Sequence, residues 1–292
     1  MTGKLTIGLA QRHPLPFGSG LPEFAADVAA TLAAHPQINL LVYPEMHLHD
    51  AHALPEAQRD SALRSLAVSL KSDFIREIGA VAQQHKIWLV PGSIGEITAG
   101  GKYYNTELVF DPQGNLVTHY RKMFPWRPDE PHDYGTEFVT FNAERIEFGL
   151  SNCYDSWFPE HTRQLAWLGS DVILNVVKTT TPDREQELVL ARANAIANQV
   201  YFLSINCAGP IGQGKSIAVG PEGEVLAQAG TDQETLVVAV DTEINRRVRR
   251  LGTAGATRPW SHFHAADPEI PLPMYGGAIR PAHWQPKKHH EK

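Results

Sequence analysis

The sequence predicts an α/β fold with one main domain, on the basis of three observations. Short runs rich in β-branched residues alternate with longer segments of helical periodicity, which is typical of layered α/β proteins. The chain has 292 residues, of which 42% are hydrophobic and 20% charged, so it can bury a large core. No apolar run approaches the roughly 20 residues that a transmembrane helix needs. We therefore expect neither a membrane protein nor a disordered one.

Strands are predicted where apolar and β-branched residues cluster, and helices where the period is 3.6 residues. The strands lie near residues 4–10, 38–43, 87–92, 105–110, 145–152, 171–177, 200–206, 215–219 and 235–240. The amphipathic helices lie at residues 22–34, 61–85, 159–169 and 183–198. Two turn-rich segments, DPQGN at 111–115 and GPEGE at 220–224, predict hairpins, so antiparallel pairs are expected within the sheets.

The C-terminal segment differs from the rest of the chain. It is rich in Pro, Gly and aromatic residues and has no clear periodicity. We predict a domain over residues 1–250 and an extended arm over 251–292 that packs on the domain or on a partner subunit. The final KKHHEK is expected to be a frayed end.

Composition also limits the partners. The formal net charge of -6, with Lys and Arg scattered along the chain, gives no basic face for nucleic acid. The exception, RRVRR at 246–250, is interpreted as a solvated helix face or an interface contact. The N-terminal MTGKLTIGLAQ contains none of the parts of an export signal, so the expected location is the cytoplasm.

Two cysteines occur, which excludes a disulfide framework and a four-cysteine zinc site. Cys153 lies in RIEFGLSNCYDSWFPE, where an apolar strand ends and a Pro-Glu pair begins the next helix. A thiol at such a turn lies near backbone N–H groups that can bind an oxyanion. A buried core cysteine is the alternative, and position alone favours it. Cys207, in YFLSINCAG, is interpreted as packing.

Three charged residues are further candidates for the site. Glu45 follows the apolar run INLLVYP, where burial would raise its pKa and suit it to act as a general base; the alternative is a loop cap. Lys122, in HYRKMFPWRPDE, could stabilise a negative oxygen, although a surface lysine is the simpler interpretation. Glu130 could pair with it.

The order of Glu45, Lys122, Glu130 and Cys153 supplies a base, an oxyanion donor and a nucleophile. In this order the sequence resembles the nitrilase, or carbon–nitrogen hydrolase, superfamily, over almost the whole chain to about residue 245. The matching segments are LVYPE, GKYYNTELVFDPQGNLVTHYRK, SNCYDSWFPE, NVVKTT and ARANAIANQVYFLSINCAG.

The resemblance implies a four-layer αββα sandwich that assembles as a homodimer or a larger homo-oligomer. It also implies a catalytic triad of Glu45, Lys122 and Cys153, with no metal and no organic cofactor. The stretch YRKMFPWRPDE is similar to the YRKxxPWxPxE pattern of aliphatic amidases and formamidases, which assigns that group's additional glutamate to Glu130.

The residues after the cysteine narrow the substrate class. Tyr154-Asp155 stands where nitrilases have Trp-Glu, which favours an amide over a nitrile. Ser156 and Trp157 replace the arginine pair of N-carbamoyl-D-amino-acid hydrolases, which disfavours a carboxylate-bearing carbamoyl substrate. The run DSWFPE is nevertheless similar to that of N-carbamoylputrescine amidohydrolases. The expected substrate is a small aliphatic amide; an N-carbamoyl amine or a nitrile on the same triad is the alternative.

In the expected reaction, the backbone N–H of Tyr154 assists Lys122 at the oxyanion, and Tyr104 and Trp126 line the substrate pocket. Two rival interpretations stay open. His47, His49 and His52 cluster after Glu45 and would suit a metal hydrolase, although no HExxH pattern occurs. A non-catalytic binding protein that keeps the fold is the other.

Overall fold

A computed structural model describes residues 3–287, in which helices and strands alternate along most of the chain. The strands are β1 Lys4–Gln11, β2 Leu40–Val42, β3 Trp88–Val90, β4 Ser93–Ile97, β5 Tyr103–Phe110, β6 Leu116–Arg121, β7 Thr140–Ala143, β8 Ile146–Asn152, β9 Val172–Val177, β10 Tyr201–Asn206, β11 Ile217–Val219, β12 Val225–Gln228, β13 Glu234–Asp241, β14 Ile270–Leu272 and β15 Gly277–Ile279. The α-helices are α1 Leu21–Ala34, α2 Glu56–Ser65, α3 Asp73–His85, α4 Pro159–Trp167, α5 Arg184–Asn198 and α6 Thr242–Leu251.

Two large sheets form the centre of the domain. The first has the order β13-β1-β2-β3-β5-β4, with β6 paired to β5, and the second has the order β12-β11-β10-β9-β8-β7. Strands β1, β2 and β3 are parallel, as are β8, β9 and β10, whereas the outer strands are antiparallel. The parallel strands at the centre of each sheet bring their carboxyl ends to one edge, where loops gather into sites.

Alternation along the strands separates the layers. On β1, Leu5, Ile7 and Leu9 join a core that also contains residues of the second sheet, whereas Ala10 packs with the helices α1 and α3. On the second sheet, Phe202 faces α4 and α5, because successive side chains of a strand point to opposite faces. The chain therefore forms four layers in the order helices, sheet, sheet, helices.

Sequence periodicity and end signals account for the helices. Helix α3 buries Ile75, Ile78 and Ala82, whose spacing places them on one face. Helix α6 is capped by Asp241, whose side chain accepts a hydrogen bond from the backbone N–H of Glu243 at 2.9 Å. No helix within residues 3–287 has the length and apolar character needed to cross a membrane.

The predicted helix 61–85 is wrong, because two helices, α2 and α3, occupy this region. Between them the backbone of Val68 pairs with the edge strand β4: Val68 N–H donates to Gly95 and Ile97 N–H donates to Val68, both at 3.0 Å. The apolar spacing continues through the interruption, so the sequence pattern did not reveal it. Strands β4, β7, β14 and β15 are not among the predicted strands, and α6 is anticipated only through the helix face that is one interpretation of RRVRR.

The segment after α6 packs on the second helical layer. Trp260 is 4% exposed and its Nε1 donates to the carbonyl oxygen of Asn198, at the end of α5, at 3.0 Å. The guanidinium of Arg163, on α4, lies over the rings of Trp260 and Trp284. Of the predicted frayed end, residues 288–292 lie outside the described part of the chain.

The basic run RRVRR lies on α6 and only part of it faces solvent. Val248 is buried, and Arg249 donates to the carbonyl oxygen of Ser170 at 2.8 Å. This segment therefore helps to attach α6 to the domain.

Candidate active site

Three of the predicted site residues follow the ends of strands. Glu45 comes three residues after β2, and Lys122 and Cys153 directly follow β6 and β8. Glu45 reaches across to the second sheet, because its Oε2 accepts a hydrogen bond at 2.8 Å from the backbone N–H of Lys178, the residue after β9. The strand ends of both sheets therefore meet at one site.

The ammonium group of Lys122 lies between two carboxylates. The side chain is fully buried, and Nζ donates to Oε1 of Glu45 at 2.9 Å and to Oε1 of Glu130 at 2.8 Å. The second oxygen of Glu130 accepts from the backbone N–H of Trp126 at 2.8 Å. The structure thus brings Glu45, Lys122 and Glu130 together in one buried charge cluster.

Two asparagines connect this cluster to the turn that contains Cys153. Asn105, on β5, donates from Nδ2 to Oε1 of Glu45 at 2.8 Å. Its Oδ1 accepts from Nδ2 of Asn152 at 2.9 Å, and Asn152 directly precedes Cys153. Both amides are fully buried, so water does not compete for these hydrogen bonds. The carboxylate of Glu45 is therefore held in a defined orientation relative to the cysteine turn.

The backbone on either side of Glu45 is also fixed. The N–H of Met46 donates to Oγ of Ser93 at 3.0 Å. Gly92 has φ of 86° and approaches Pro44 so closely that a Cβ there would lie 1.8 Å from the Pro44 carbonyl oxygen. Only glycine fits at position 92, so this close contact sets the path of the Glu45 loop.

Cys153 occupies a strained turn at the edge of the core. Its φ is 50°, a left-handed conformation that residues other than glycine rarely adopt. Its carbonyl oxygen accepts from Oγ of Ser156 at 2.9 Å, and Nδ2 of Asn175 lies within 3.4 Å. Cys153 is half-buried, in contrast to Cys207, which is fully buried. The turn therefore presents Cys153 at the site.

The pKa directions describe the resting cluster. Burial raises the pKa of Glu45, in opposition to Lys122, and the charge of Glu130 adds to the increase. Burial alone would lower the pKa of Lys122, but the two carboxylates raise it well above its usual value. Burial would raise the pKa of Glu130, but Lys122 outweighs it and lowers that pKa. Burial and repulsion from Glu45 raise the pKa of the Cys153 thiol. The site at neutral pH thus combines a charged lysine with a neutral thiol.

Two of the predicted substrate-binding residues lie in segments that belong to the site. Tyr154 follows Cys153, and its ring packs edge-on against Phe158 with centroids 5.3 Å apart. Trp126 lies in the loop held by Glu130, and its side chain is 40% exposed. Both are close in the chain to residues of the cluster.

Tyr104 is placed differently from the prediction. It precedes Asn105 on β5, and successive side chains of a strand point to opposite faces. Because Asn105 contacts Glu45, Tyr104 faces away from the charge cluster, and its ring lies 4.4 Å from the guanidinium of Arg121. The structure does not bring Tyr104 together with the other site residues.

The histidines that suggested a metal hydrolase do not share one site. Within residues 3–287, no group of His, Cys, Asp and Glu side chains is arranged to hold a metal ion. Each histidine has its own neighbour: His47 stacks on Tyr43, His49 stacks on Phe74, and His52 pairs with Asp50.

Sequence reasoning assigned no role to several residues that complete the site. Asn105 and Asn152 orient Glu45, and the backbone of Lys178 holds its second oxygen. A polar amide on an otherwise apolar strand is the signal that could have identified the two asparagines, because a buried amide requires a partner.

Comparison with known proteins shows the family to which the chain belongs. The sequence profile described as Carbon-nitrogen hydrolase matches residues 21–250. The chain belongs to the carbon–nitrogen hydrolase family. The predicted membership of the nitrilase superfamily is thereby confirmed.

Two relatives of this carbon–nitrogen hydrolase are enzymes named for amide hydrolysis. A formamidase of Pseudomonas syringae pv. tomato is 27% identical over 216 residues, which cover 72% of this chain and 62% of the relative. The omega-amidase NIT2 of Homo sapiens is 32% identical over 201 residues, which cover 63% of this chain and 72% of that protein. The match thus spans less than two thirds of the formamidase.

Two solved structures share the fold of this carbon–nitrogen hydrolase. Nit3 of Saccharomyces cerevisiae, a member of branch 10 of the nitrilase superfamily, superposes with a TM-score of 0.76 at 26% identity, over 85% of this chain and 94% of that one. A carbon-nitrogen hydrolase from Helicobacter pylori G27 gives 0.74 at 25% identity, over 85% and 92%. The predicted four-layer sandwich is confirmed.

Proposed function

We propose that this protein is an amidase that hydrolyses a small aliphatic amide to a carboxylic acid and ammonia through a thioester on Cys153. The observation that carries the proposal is the buried contact of Lys122 with both Glu45 and Glu130, beside the turn of Cys153. The names of the formamidase and omega-amidase relatives support the choice of an amide as substrate.

In the first half of the proposed reaction, Glu45 takes the thiol proton while the sulfur of Cys153 attacks the amide carbon. The thiol is neutral in the resting protein, so proton transfer must accompany the attack. The resulting oxyanion is stabilised by Lys122 and by the backbone N–H of Tyr154. Glu45 then passes the proton to the leaving nitrogen, the C–N bond breaks, and ammonia departs.

In the second half, Glu45 removes a proton from a water molecule that attacks the thioester carbon. The tetrahedral intermediate collapses, the C–S bond breaks, and the thiol recovers its proton as the acid leaves. The increased pKa of Glu45 suits it to both transfers, since a base is most effective when its pKa lies near the working pH.

Glu130 is assigned to charge balance and orientation. Its carboxylate accepts a hydrogen bond from Lys122 alongside that of Glu45 and raises the pKa of the lysine. Lys122 therefore keeps its proton throughout the reaction. Tyr154 and Trp126 are proposed to contact the substrate, since they lie in the segments that carry Cys153 and Glu130. Tyr104 is not included.

The test is an ammonia-release assay over formamide, short aliphatic amides, ω-amino amides, carbamoyl amines and nitriles. We expect the highest kcat/KM for a short amide and a mass increase on Cys153, equal to the acyl group, in quenched reactions. Cys153→Ala should retain the fold and lose at least about 1,000-fold in turnover, because no other group can form the thioester. The matched control is Cys207→Ala, which removes the other thiol and should retain turnover.

Three results would contradict this proposal. Turnover by Cys153→Ala equal to that of the wild type would exclude Cys153 as the nucleophile. A preference for carbamoyl amines or nitriles would assign another substrate class to the same catalytic residues. No product from any compound would support a binding protein instead.

We also propose that the enzyme acts in the cytoplasm as a homodimer or a larger homo-oligomer. The C-terminal segment exposes Met274 and Tyr275, at 80% and 53%, which a partner subunit would cover. Light scattering coupled to gel filtration measures the assembly, and a monomeric mass at micromolar concentration would contradict it.

A further inference from the structure

Asp155 is a fully buried carboxylate that accepts three hydrogen bonds. Its Oδ2 accepts from the backbone N–H of Asn152 at 2.9 Å and from the hydroxyl of Tyr120 at 2.6 Å. Its Oδ1 accepts from the backbone N–H of Phe124 at 2.9 Å. The reaction proposed above uses none of these groups.

These donors belong to the two segments that carry the reacting side chains. Asn152 directly precedes Cys153, and Phe124 comes two residues after Lys122. The Tyr120 hydroxyl strengthens the same connection, because its oxygen also accepts from the backbone N–H of Met123 at 3.1 Å. One carboxylate thus joins the cysteine turn to the lysine loop across the space between the two sheets.

We propose that Asp155 is a positioning residue that holds the Cys153 turn and the Lys122 loop in register for attack on the substrate. This inference rests on the proposed amidase function. It assigns to Asp155 a role that acts through Cys153 and Lys122, and no contact with substrate.

The strained backbone of Cys153 gives the reason for such a connection. A φ of 50° persists only where neighbouring contacts impose it. The hydrogen bond from the backbone N–H of Asn152 to Asp155 closes a turn over residues 152–155, which contains Cys153. Without it, we expect the turn to relax and the sulfur to move relative to the ammonium group of Lys122.

A carboxylate is required for this geometry, since all three partners donate. An asparagine at the same position offers one acceptor atom and an NH₂ group that donates. Whichever way the amide is oriented, its NH₂ group faces at least one backbone N–H, that of Asn152 or of Phe124. Asp155→Asn therefore preserves the volume of the side chain and breaks its connection to one of the two segments.

The experiment measures kcat and KM of Asp155→Asn with a short amide, per mole of Cys153 thiol. We expect kcat to fall about 100-fold with KM within threefold of the wild type, the effect of a small displacement of reacting groups. Tyr120→Phe, which keeps the ring and removes the hydroxyl, should lower kcat about 10-fold and serves if Asp155→Asn does not fold. Thermal unfolding is recorded in parallel.

The matched control is Asp171→Asn. Asp171 directly precedes β9, whereas Lys178, which contacts Glu45, directly follows that strand. Asp171 is also buried and accepts from a backbone N–H, that of Glu147 at 3.4 Å, but lies away from the cluster. It should lose stability and keep the wild-type kcat. Asp155 would have no positioning role if its variant kept kcat within threefold of the wild type, or lost no more than Asp171→Asn.

A second measurement separates this inference from the proposed function. The rate of Cys153 alkylation by chloroacetamide, followed by mass spectrometry, requires no turnover. If the wild type hydrolyses no amide, the proposed function fails and alkylation alone decides the inference. If the alkylation rate of Asp155→Asn differs more than tenfold from that of the wild type, and the rate of Asp171→Asn does not, the positioning role of Asp155 is supported. A smaller difference overturns it.

Discussion

Replacing Lys122 by methionine should destabilise the protein strongly, although methionine is apolar and the position is fully buried. In the wild type, Nζ lies 2.9 Å from Glu45 and 2.8 Å from Glu130. Lys122→Met removes the cation and leaves two carboxylates close together without a counter-charge. The cost comes from the groups that remain and not from the side chain that is lost.

The magnitude follows from the burial of these partners. Removing one partner of a buried ion pair costs about 3–5 kcal/mol, because the remaining charge is desolvated. Side-chain exposures of 3% for Glu45 and 20% for Glu130 indicate that water compensates poorly. Adding Glu130→Gln to Lys122→Met removes one of the two isolated charges and should recover at least about 1 kcal/mol of the loss.

The loss should depend on pH. Without Lys122, burial and mutual repulsion raise the pKa of both carboxyls above the ordinary value of 4.5. A group whose folded-state pKa is raised contributes full stability below its unfolded pKa and loses it as pH increases. The difference in stability between the wild type and Lys122→Met should therefore widen from about pH 5 to pH 8.

Urea unfolding followed by circular dichroism, at pH 5, 6, 7 and 8, measures this difference. The control is Lys4→Met, which breaks an ion pair of 2.8 Å with Asp241 at a lysine that is 74% exposed, and should give no measurable change. A loss below about 1 kcal/mol for Lys122→Met, or a loss that does not vary with pH, would refute the described charge cluster.

Other expectations concern buried groups outside the cluster. Glu107 is fully buried, and burial raises its pKa well above 4.5. Glu107→Gln should therefore become more stable relative to the wild type as pH increases, by up to about 1.4 kcal/mol per pH unit. Thermal unfolding at pH 5 to 8 measures this stability difference, and a difference that does not vary with pH would contradict the prediction. Glu96 is the counterpart: burial raises its pKa, but Arg121 outweighs this and lowers it. Glu96→Gln should thus be destabilising at pH 7, with a gap that narrows below about pH 4.5. Trp260→Ala should cost about 3 kcal/mol in urea unfolding and increase proteolysis after residue 252; unchanged cleavage would contradict the packing of the C-terminal segment.

Much of the candidate site could be selected from the sequence, because three of its residues follow strand ends. Glu45 and Cys153 follow apolar runs, and Lys122 follows the second strand of a predicted hairpin. Their order along the chain then indicated the family, and the family implied the four layers. The pattern of single strands could not predict these layers. Alternation shows which side chains share a face of a strand, but not which sheet packs against that face.

The interruption of helix 61–85 shows what local pattern omits. Val68 leaves the helical conformation because β4 offers its backbone two hydrogen bonds, and β4 is itself an edge strand that was not predicted. The conformation of Val68 is thus set by a strand that lies far along the chain. The same holds for Asp155, whose partner Tyr120 is 35 residues away.

The placement of Tyr104 shows a different limit. The motif that ends at Lys122 contains this tyrosine, but proximity in sequence does not determine the face of a strand. The contact of Asn105 with Glu45 fixes the register of β5 and turns Tyr104 to the opposite face. A strand prediction that included the side facing Glu45 would have identified Asn105 as the residue of β5 that contacts Glu45.

The charges of the cluster are better explained by chemistry than by stability. Two carboxylates and one ammonium leave an excess negative charge in a buried site, and buried ion pairs of this kind contribute little net stability. The arrangement moves two pKa values in directions that suit opposite tasks: that of Glu45 rises from its ordinary range, while that of Lys122 rises further from neutrality. In the proposed reaction, the first change makes Glu45 a better base and the second keeps Lys122 protonated. Because Glu45 and Glu130 share Lys122, protonation of either carboxyl changes the pKa of the other. The acid limb of the pH–rate profile should therefore report the titration of the pair and not that of Glu45 alone.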